Sequence, residues 1–399
     1  MEVRFQNFRN KWRLDEKMIT LIFFSSMSLI VGWYAHIFWQ ADQLNAEQHP
    51  LAVVGRTAPF LSTLSKACPH WDMAFELQRK IQRDYCLRHF TGEPPRPELT
   101  KGQLRGPNGE SGSGPLMDFM IYKSADVISN AIQGGQSWEL TLCNRLVRAL
   151  ELVAARRGLS KNDRKQLTFL DIGGNMGIHT MYMQAAGFSV VAFEPFPPNE
   201  DIIRSNLCMN DAAQERVTLF TKGLGAVATV CKEYSSPTYN QGNGVVSCDG
   251  SIPKHDDGPV TLKGQMEIVP LDDIWRCTKK DLDREDETNG NESNESDGVN
   301  RAPQLPRVTI GAMKMDVEGF ESEVVAGAMH FLTESKIPFI VMELGRMLPA
   351  KRREVLAFFY ALGYDVGVEG FDLNLSRPDD LPNVEDAYFV LEESRWELV

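Results

Sequence analysis

In the run D-I-G-G-N-M-G, Asp171, Gly173, Asn175 and Gly177 occupy alternate positions, with Gly174 between Gly173 and the asparagine. Glycines spaced this way admit backbone dihedrals closed to other residues and let a ligand approach the main chain, beside the partial positive charge of a helix start. The chemistry implied is the binding of a nucleotide-type cofactor. Glu194, 17 residues beyond Gly177, ends the next apolar run and is placed where a carboxylate can accept both hydroxyls of a ribose. A dinucleotide fingerprint would read G-x-G-x-x-G. Counting from Gly173, Asn175 and Ile178 stand where the second and third glycines should be, so that pattern is broken twice. The form D-x-G-x-N-x-G suits a ligand with no pyrophosphate but with an amino-acid moiety, whose ammonium Asp171 could help hold. S-adenosylmethionine meets that description.

These residues need strand ends to stand on. Thr168–Ile172 reads as a strand that meets the glycine turn, with a helix from about Ile178. Ser189–Phe193 reads as a second strand, followed by a helix at about Asn199–Met209 and a third strand near Val217–Thr221. Further on, Val308–Met315 ends in Asp316 and feeds a helix at about Glu321–Ser335. Phe339–Met342 ends in Glu343 and feeds a helix at about Pro349–Leu362, with closing strands at Tyr364–Val368 and Ala387–Leu391. Alternation of this kind specifies an α/β fold, a doubly wound, mostly parallel Rossmann-like sheet with ligands at the carboxyl ends of its strands. Three of those ends carry Glu194, Asp316 and Glu343.

The ordered set DIGGNMGIHT, VVAFEPFPPN, LDDI (271–274) and MKMDVEGFESEVVAGA (313–328) followed by IPFIVMEL resembles the FkbM family of S-adenosylmethionine-dependent methyltransferases, over about Met117 to Leu391. The resemblance implies a class I methyltransferase fold with a closing antiparallel strand, and O-methylation of sugar or other alcohol hydroxyls. By position it implies that Asp171, Gly173, Gly174, Asn175 and Gly177 line the methionine side of the cofactor and that Glu194 holds the ribose. Lys314, Asp316 and Glu318 match the family's K-x-D-x-E-G element, which faces the transferred methyl. Asp316 is the expected general base, with Glu318 orienting it or a second hydroxyl. Because D-V-E-G-F-E precedes a helix, Asp316 and Glu318 also fit a helix start, and Lys314 also fits a structural ion pair. His179 reads more readily as a packed histidine than as a base. Asp272 and Asp273 read as a turn beside an added strand. No metal site is assigned, although the carboxylates could alternatively gather a divalent ion that binds vicinal hydroxyls.

Ahead of this body, residues 18–39 run 22 positions without a charged side chain. At about 1.5 Å per residue they are long enough to cross a bilayer core of about 30 Å as a helix. Arg4, Arg9, Lys11, Arg13 and Lys17 precede the run, and only Arg56 is basic in the 20 residues after it. The expected organisation is a cytosolic tail (1–17), a transmembrane anchor (18–39), a stem (40–115) and a methyltransferase-like domain (116–399). This is type II topology with the body in the lumen of the Golgi or another secretory compartment. Asn291, Asn294 and Asn374 open Asn-x-Ser sequons, usable there. Seven cysteines leave at least one free or paired between chains, and no Cys-x-x-Cys spacing suggests a metal.

The net charge of −12 argues against a nucleic-acid partner, which requires a basic face. Much of it sits in an acidic low-complexity tract at 279–306, where Asp281 to Asp297 hold eight acids and one base. The tract reads as a solvated insertion. The expected partners are the membrane and a hydroxyl-bearing acceptor such as a glycan. A catalytically inactive scaffold of the same fold, or an NAD-dependent oxidoreductase, is the competing reading.

Overall fold

The computed structural model describes residues 71–107, 114–123, 126–134, 137–236, 240–252, 259–275 and 308–397, except 373, 380, 382 and 383. The expected tail, anchor and acidic tract lie outside the described residues, as do Cys68, Cys277, Asn291 and Asn294. Among the described residues no helix is long and apolar enough to cross a membrane.

The strands that carry the glycine turn and the acids are short and apolar: β3 (Leu167–Ile172), β4 (Ser189–Phe193), β10 (Thr309–Met315) and β11 (Phe339–Glu343). With β5 (Val217–Phe220), β12 (Tyr364–Gly367) and β13 (Asp386–Leu391) they form a seven-stranded sheet of order β12-β13-β11-β10-β3-β4-β5. All neighbours pair parallel except at β13, which runs antiparallel to both β11 and β12. The chain is therefore a mixed α/β protein with a mainly parallel sheet and one reversed strand.

Successive side chains leave a strand on opposite faces, and both faces are buried. Leu167 and Phe169 join Val190, Ala192 and Val341 in one core, whereas Leu170 and Ile172 join Val191, Phe193, Met313 and Met342 in the other. Helices α3 (Leu140–Arg156), α4 (Ile178–Ala185) and α5 (Pro197–Met209) cover the first face. Helices α7 (Glu321–Ala326), α8 (Met329–Ser335) and α9 (Pro349–Ala361) cover the second.

Three features differ from the sequence expectation. The folded body begins before residue 115: α1 (Trp71–Arg88) and β1 (Leu99–Arg105) fall inside the expected stem. Gln82 of α1 donates to the Arg204 carbonyl at 3.0 Å and Cys86 is disulfide-bonded to Cys208 on α5, while β1 pairs antiparallel with β2 (Leu116–Tyr122). The Pro- and Gly-rich stretch between the two strands disguised that hairpin as linker. Second, the single helix expected at Glu321–Ser335 is two. The chain breaks at Gly327, where a Cβ would lie 1.9 Å from the Gly225 carbonyl oxygen, and Asp272 restarts it by accepting the N–H groups of His330 and Phe331 at 3.0 and 2.8 Å. Asp272 is thus a cap supplied from outside the helix.

Third, four strands that the sequence did not suggest, β6 (Gly223–Leu224), β7 (Thr229–Ser235), β8 (Gly244–Ser247) and β9 (Thr261–Val269), form a second sheet of order β6-β9-β7-β8. Cys231 and Cys248 are disulfide-bonded across it, and Cys143 is a buried free thiol.

Candidate active site

Parallel register decides which residues meet. Ile172 pairs with Phe193 and with Met315, and Met315 with Met342. The residues one step further, Gly173, Glu194, Asp316 and Glu343, therefore stand in a row along the carboxyl edge of the sheet. A cleft opens there, lined by Gly173, Asn175, Glu194, Asp316 and Glu318.

The turn after β3 is shaped by what it must touch. Gly173 has φ +81°, and a Cβ there would sit 1.8 Å from the Asp316 carbonyl oxygen, so only glycine lets the ends of β3 and β10 abut. Gly173 and Gly174 both donate to the Phe193 carbonyl at 3.0 Å. Asn175 is left-handed at φ +49° and donates its N–H to Glu194 Oε2 at 2.7 Å. Glu194 Oε1 accepts from the Phe196 N–H at 3.0 Å and from Asn199 Nδ2 at 3.4 Å. Burial pushes its carboxyl up to about 8 against the pull of these hydrogen bonds. A carboxylate has about four acceptor positions. With three in use and the group lining the cleft, Glu194 can still accept hydroxyl donors.

The opposite lip comes from the β10–α7 turn. Lys314, buried, donates to Asp316 Oδ2 at 2.8 Å. Burial works against the lysine's charge, yet Asp316, Asp171 and Glu139 hold it above its usual range. Burial likewise opposes ionisation of Asp316, but Lys314 keeps that carboxylate below its usual range. Glu318 is left-handed at φ +58° and pairs with Arg346 Nε at 2.8 Å, without hydrogen-bond alignment. Burial and the Asp316 charge push Glu318 up to about 7 and Glu343 up to about 9. Of the five described non-glycine residues with positive φ, two, Asn175 and Glu318, line this one cleft. Such strain concentrates where the fold holds a binding or reacting group.

Not every predicted site residue reaches the cleft. Asp171 lies fully buried behind it, accepting the Thr180 hydroxyl at 2.6 Å, so it orders the start of α4 and does not contact the cleft. Gly177 is a packing position, where a Cβ would lie 2.9 Å from Ile203 Cγ1. Lys314 does not line the cleft and is bonded to Asp316, which does. His179 is buried 3.3 Å from Glu139, and burial and Lys314 lower it to about 3, which leaves a neutral imidazole.

The sequence reading missed the wall facing the sheet. Glu233 on β7, with Gly242 and Asn243 from the turn before β8 and Gly244 at its start, lines the cleft. Glu233 is buried and has no hydrogen-bond partner at Oε2; Asn243 has none at Oδ1. Burial, with Glu194 nearby, pushes Glu233 up to about 9. The turn is pinned in place. Asp126 accepts the Gly242 N–H at 3.1 Å, and Asn199 bridges the Tyr122 hydroxyl to the Gly242 carbonyl, both at 2.9 Å. The only sequence signal was the pair of glycines at 242 and 244 flanking an asparagine, which is too common to single out.

No family model matches the chain, and no curated protein matches it. Among solved structures it is similar to the methyltransferase FkbM from Methylobacillus flagellatus KT, at 14% identity and TM-score 0.30, over 56% of this chain and 43% of that one. It is also similar to the precorrin-6y C5,15-methyltransferase from Geobacter metallireducens GS-15, at 13% identity and TM-score 0.26, over 61% of this chain and 87% of that one. The chain spans less than half the length of the first of these.

Proposed function

We propose that the chain is an S-adenosylmethionine-dependent O-methyltransferase acting on a hydroxyl-bearing acceptor such as a glycan. The observation that carries this reading is the row of strand-end residues in one cleft: a buried carboxylate at Glu194 tied to the glycine turn, and an ionised carboxylate at Asp316 across from it. The residues fit the group. Glu194 has acceptor capacity left for ribose hydroxyls, and the partnerless oxygens of Glu233 and Asn243 can take further donors from the ligand or the acceptor.

When bound, S-adenosylmethionine supplies an electrophilic methyl carbon on a sulfonium. The chain's own task is to place a hydroxyl oxygen in line and manage one proton. Asp316 is the general base. Lys314 keeps it ionised, so it can accept the hydroxyl proton as the oxygen–carbon bond forms and the carbon–sulfur bond releases its electron pair to sulfur. Glu318, held by Arg346, orients the acceptor beside it.

A type II, luminal placement belongs to the same proposal. Its support is the uncharged run at 18–39 with basic residues ahead of it, the disulfides Cys86–Cys208 and Cys231–Cys248, and the exposed sequon residue Asn374. Calorimetry of the full chain with S-adenosylmethionine, S-adenosylhomocysteine and NAD tests the cofactor. Binding of the sulfur compounds is expected, and binding of NAD alone overturns the reading in favour of an oxidoreductase. Protease protection of the body in sealed vesicles tests orientation, and digestion without detergent rejects it.

A further inference from the structure

We propose that Asp316, Glu321 and Glu343 form a binding site for a hard divalent cation. One carboxylate oxygen from each lies within 4.8 Å of the others, although the three come from the end of β10, the first turn of α7 and the end of β11.

Glu321 supplies the independent observation. It is 1% exposed. Its Oε1 accepts the N–H groups of Val317 and Gly319 at 3.0 and 3.2 Å, which fixes the carboxylate, while its buried Oε2 has no hydrogen-bond partner. Glu343 Oε2 is buried as well, with its carboxyl beside that of Asp316. A buried acceptor left unpaired costs about 1–3 kcal/mol, more when it carries charge, and a hard cation satisfies several at once.

Charge points the same way. Lys314 pairs with Asp316 and Arg346 with Glu318, whereas among the described residues no cation pairs with Glu321 or Glu343. Lys314 occupies one of the about four acceptor positions of the Asp316 carboxylate, which leaves capacity both for the ion and for the acceptor proton. An all-carboxylate set selects Ca²⁺, Mn²⁺ or Mg²⁺ over zinc or copper. Because Asp316 also lines the cleft, the ion would present open positions to two vicinal hydroxyls of the acceptor, a role that rests on the methyltransferase reading.

The test uses the full chain in detergent, stripped with chelator, titrated with CaCl₂ by calorimetry and with MnCl₂ by electron paramagnetic resonance. One ion per chain is expected with Kd below about 1 mM, weakened about tenfold or more by Glu343→Gln. Glu321→Gln is the second variant. Because that residue also caps the turn, its thermal melt in chelator is recorded, and a weakened titration in a folded variant supports the site. No saturable binding, or binding unchanged in Glu343→Gln, overturns it. S-adenosylhomocysteine is titrated into the same samples. Ion binding without adenosyl binding upholds the cation site while removing the methyltransferase reading, and adenosyl binding without ion binding overturns the cation site alone.

Discussion

Glu194 Oε2 accepts the backbone N–H of Asn175 at 2.7 Å, so the acid that ends β4 is bonded to the glycine turn that ends β3. One carboxylate thereby both shapes the turn and faces the cleft, and a change in its charge alters the two together.

Its titration sets a pH dependence. The Glu194 carboxyl is held near 8 in the folded chain, above its ordinary 4.5. The folded state therefore binds the extra proton between these values, and the associated stability is complete below 4.5 and lost as pH rises through 8. Urea unfolding between pH 5 and 9 should show stability falling as pH rises, with a flatter profile in Glu194→Gln. Ligand hydroxyls favour the ionised form, so S-adenosylhomocysteine should bind more tightly as pH approaches 8 in the parent, a trend absent from Glu194→Gln.

Gly173→Ala tests the abutment of β3 and β10. Gly158 also has positive φ but no atom within 4 Å of a Cβ, whereas at Gly173 the Asp316 carbonyl is in the way. Gly158→Ala should cost about 1–2 kcal/mol from backbone strain alone. Gly173→Ala adds overpacking and should cost about 2–5 kcal/mol, with loss of adenosyl binding. Equal urea midpoints for the two would show that the contact is not rigid.

Asp316→Asn keeps the shape of the side chain and removes its basicity. Turnover with a competent acceptor should fall by about 10²–10⁴-fold, while calorimetric affinity for S-adenosylhomocysteine changes little. An unchanged rate removes Asp316 from the chemistry.

The two disulfides should differ in worth. Cys86–Cys208 closes 122 residues and Cys231–Cys248 closes 17. Chain-entropy arithmetic makes the longer closure about 2 kcal/mol more stabilising, so Cys86→Ser with Cys208→Ser should lower the melting temperature more. Cys231→Ser with Cys248→Ser should instead weaken ligand binding, because β7 carries Glu233.

The strands of the main sheet were legible because each is a short apolar run closed by a turn signal, and local pattern suffices for that. Glu194, Asp316 and Glu343 were legible as strand ends for the same reason, and the left-handed turn at Gly173 followed from its composition. What the sequence could not separate was lining from support. Asp171 and Gly177 carry the same motif as Gly173 and Asn175, yet one is sealed behind the sheet edge and the other packs on Ile203. Pairing distant in the chain decides that, since the register of β3 with β10 and β4 selects which side chain is turned to the cleft. Glu233 lay in a segment with no pattern of its own. A lone acid on a strand becomes a site residue only when a second sheet, pinned through Asp126 and Asn199, carries it against Glu194. The convergence of Glu321 on Asp316 and Glu343 likewise required the folded chain, because a helix start and two strand ends approach within a few ångströms only after the crossovers have packed.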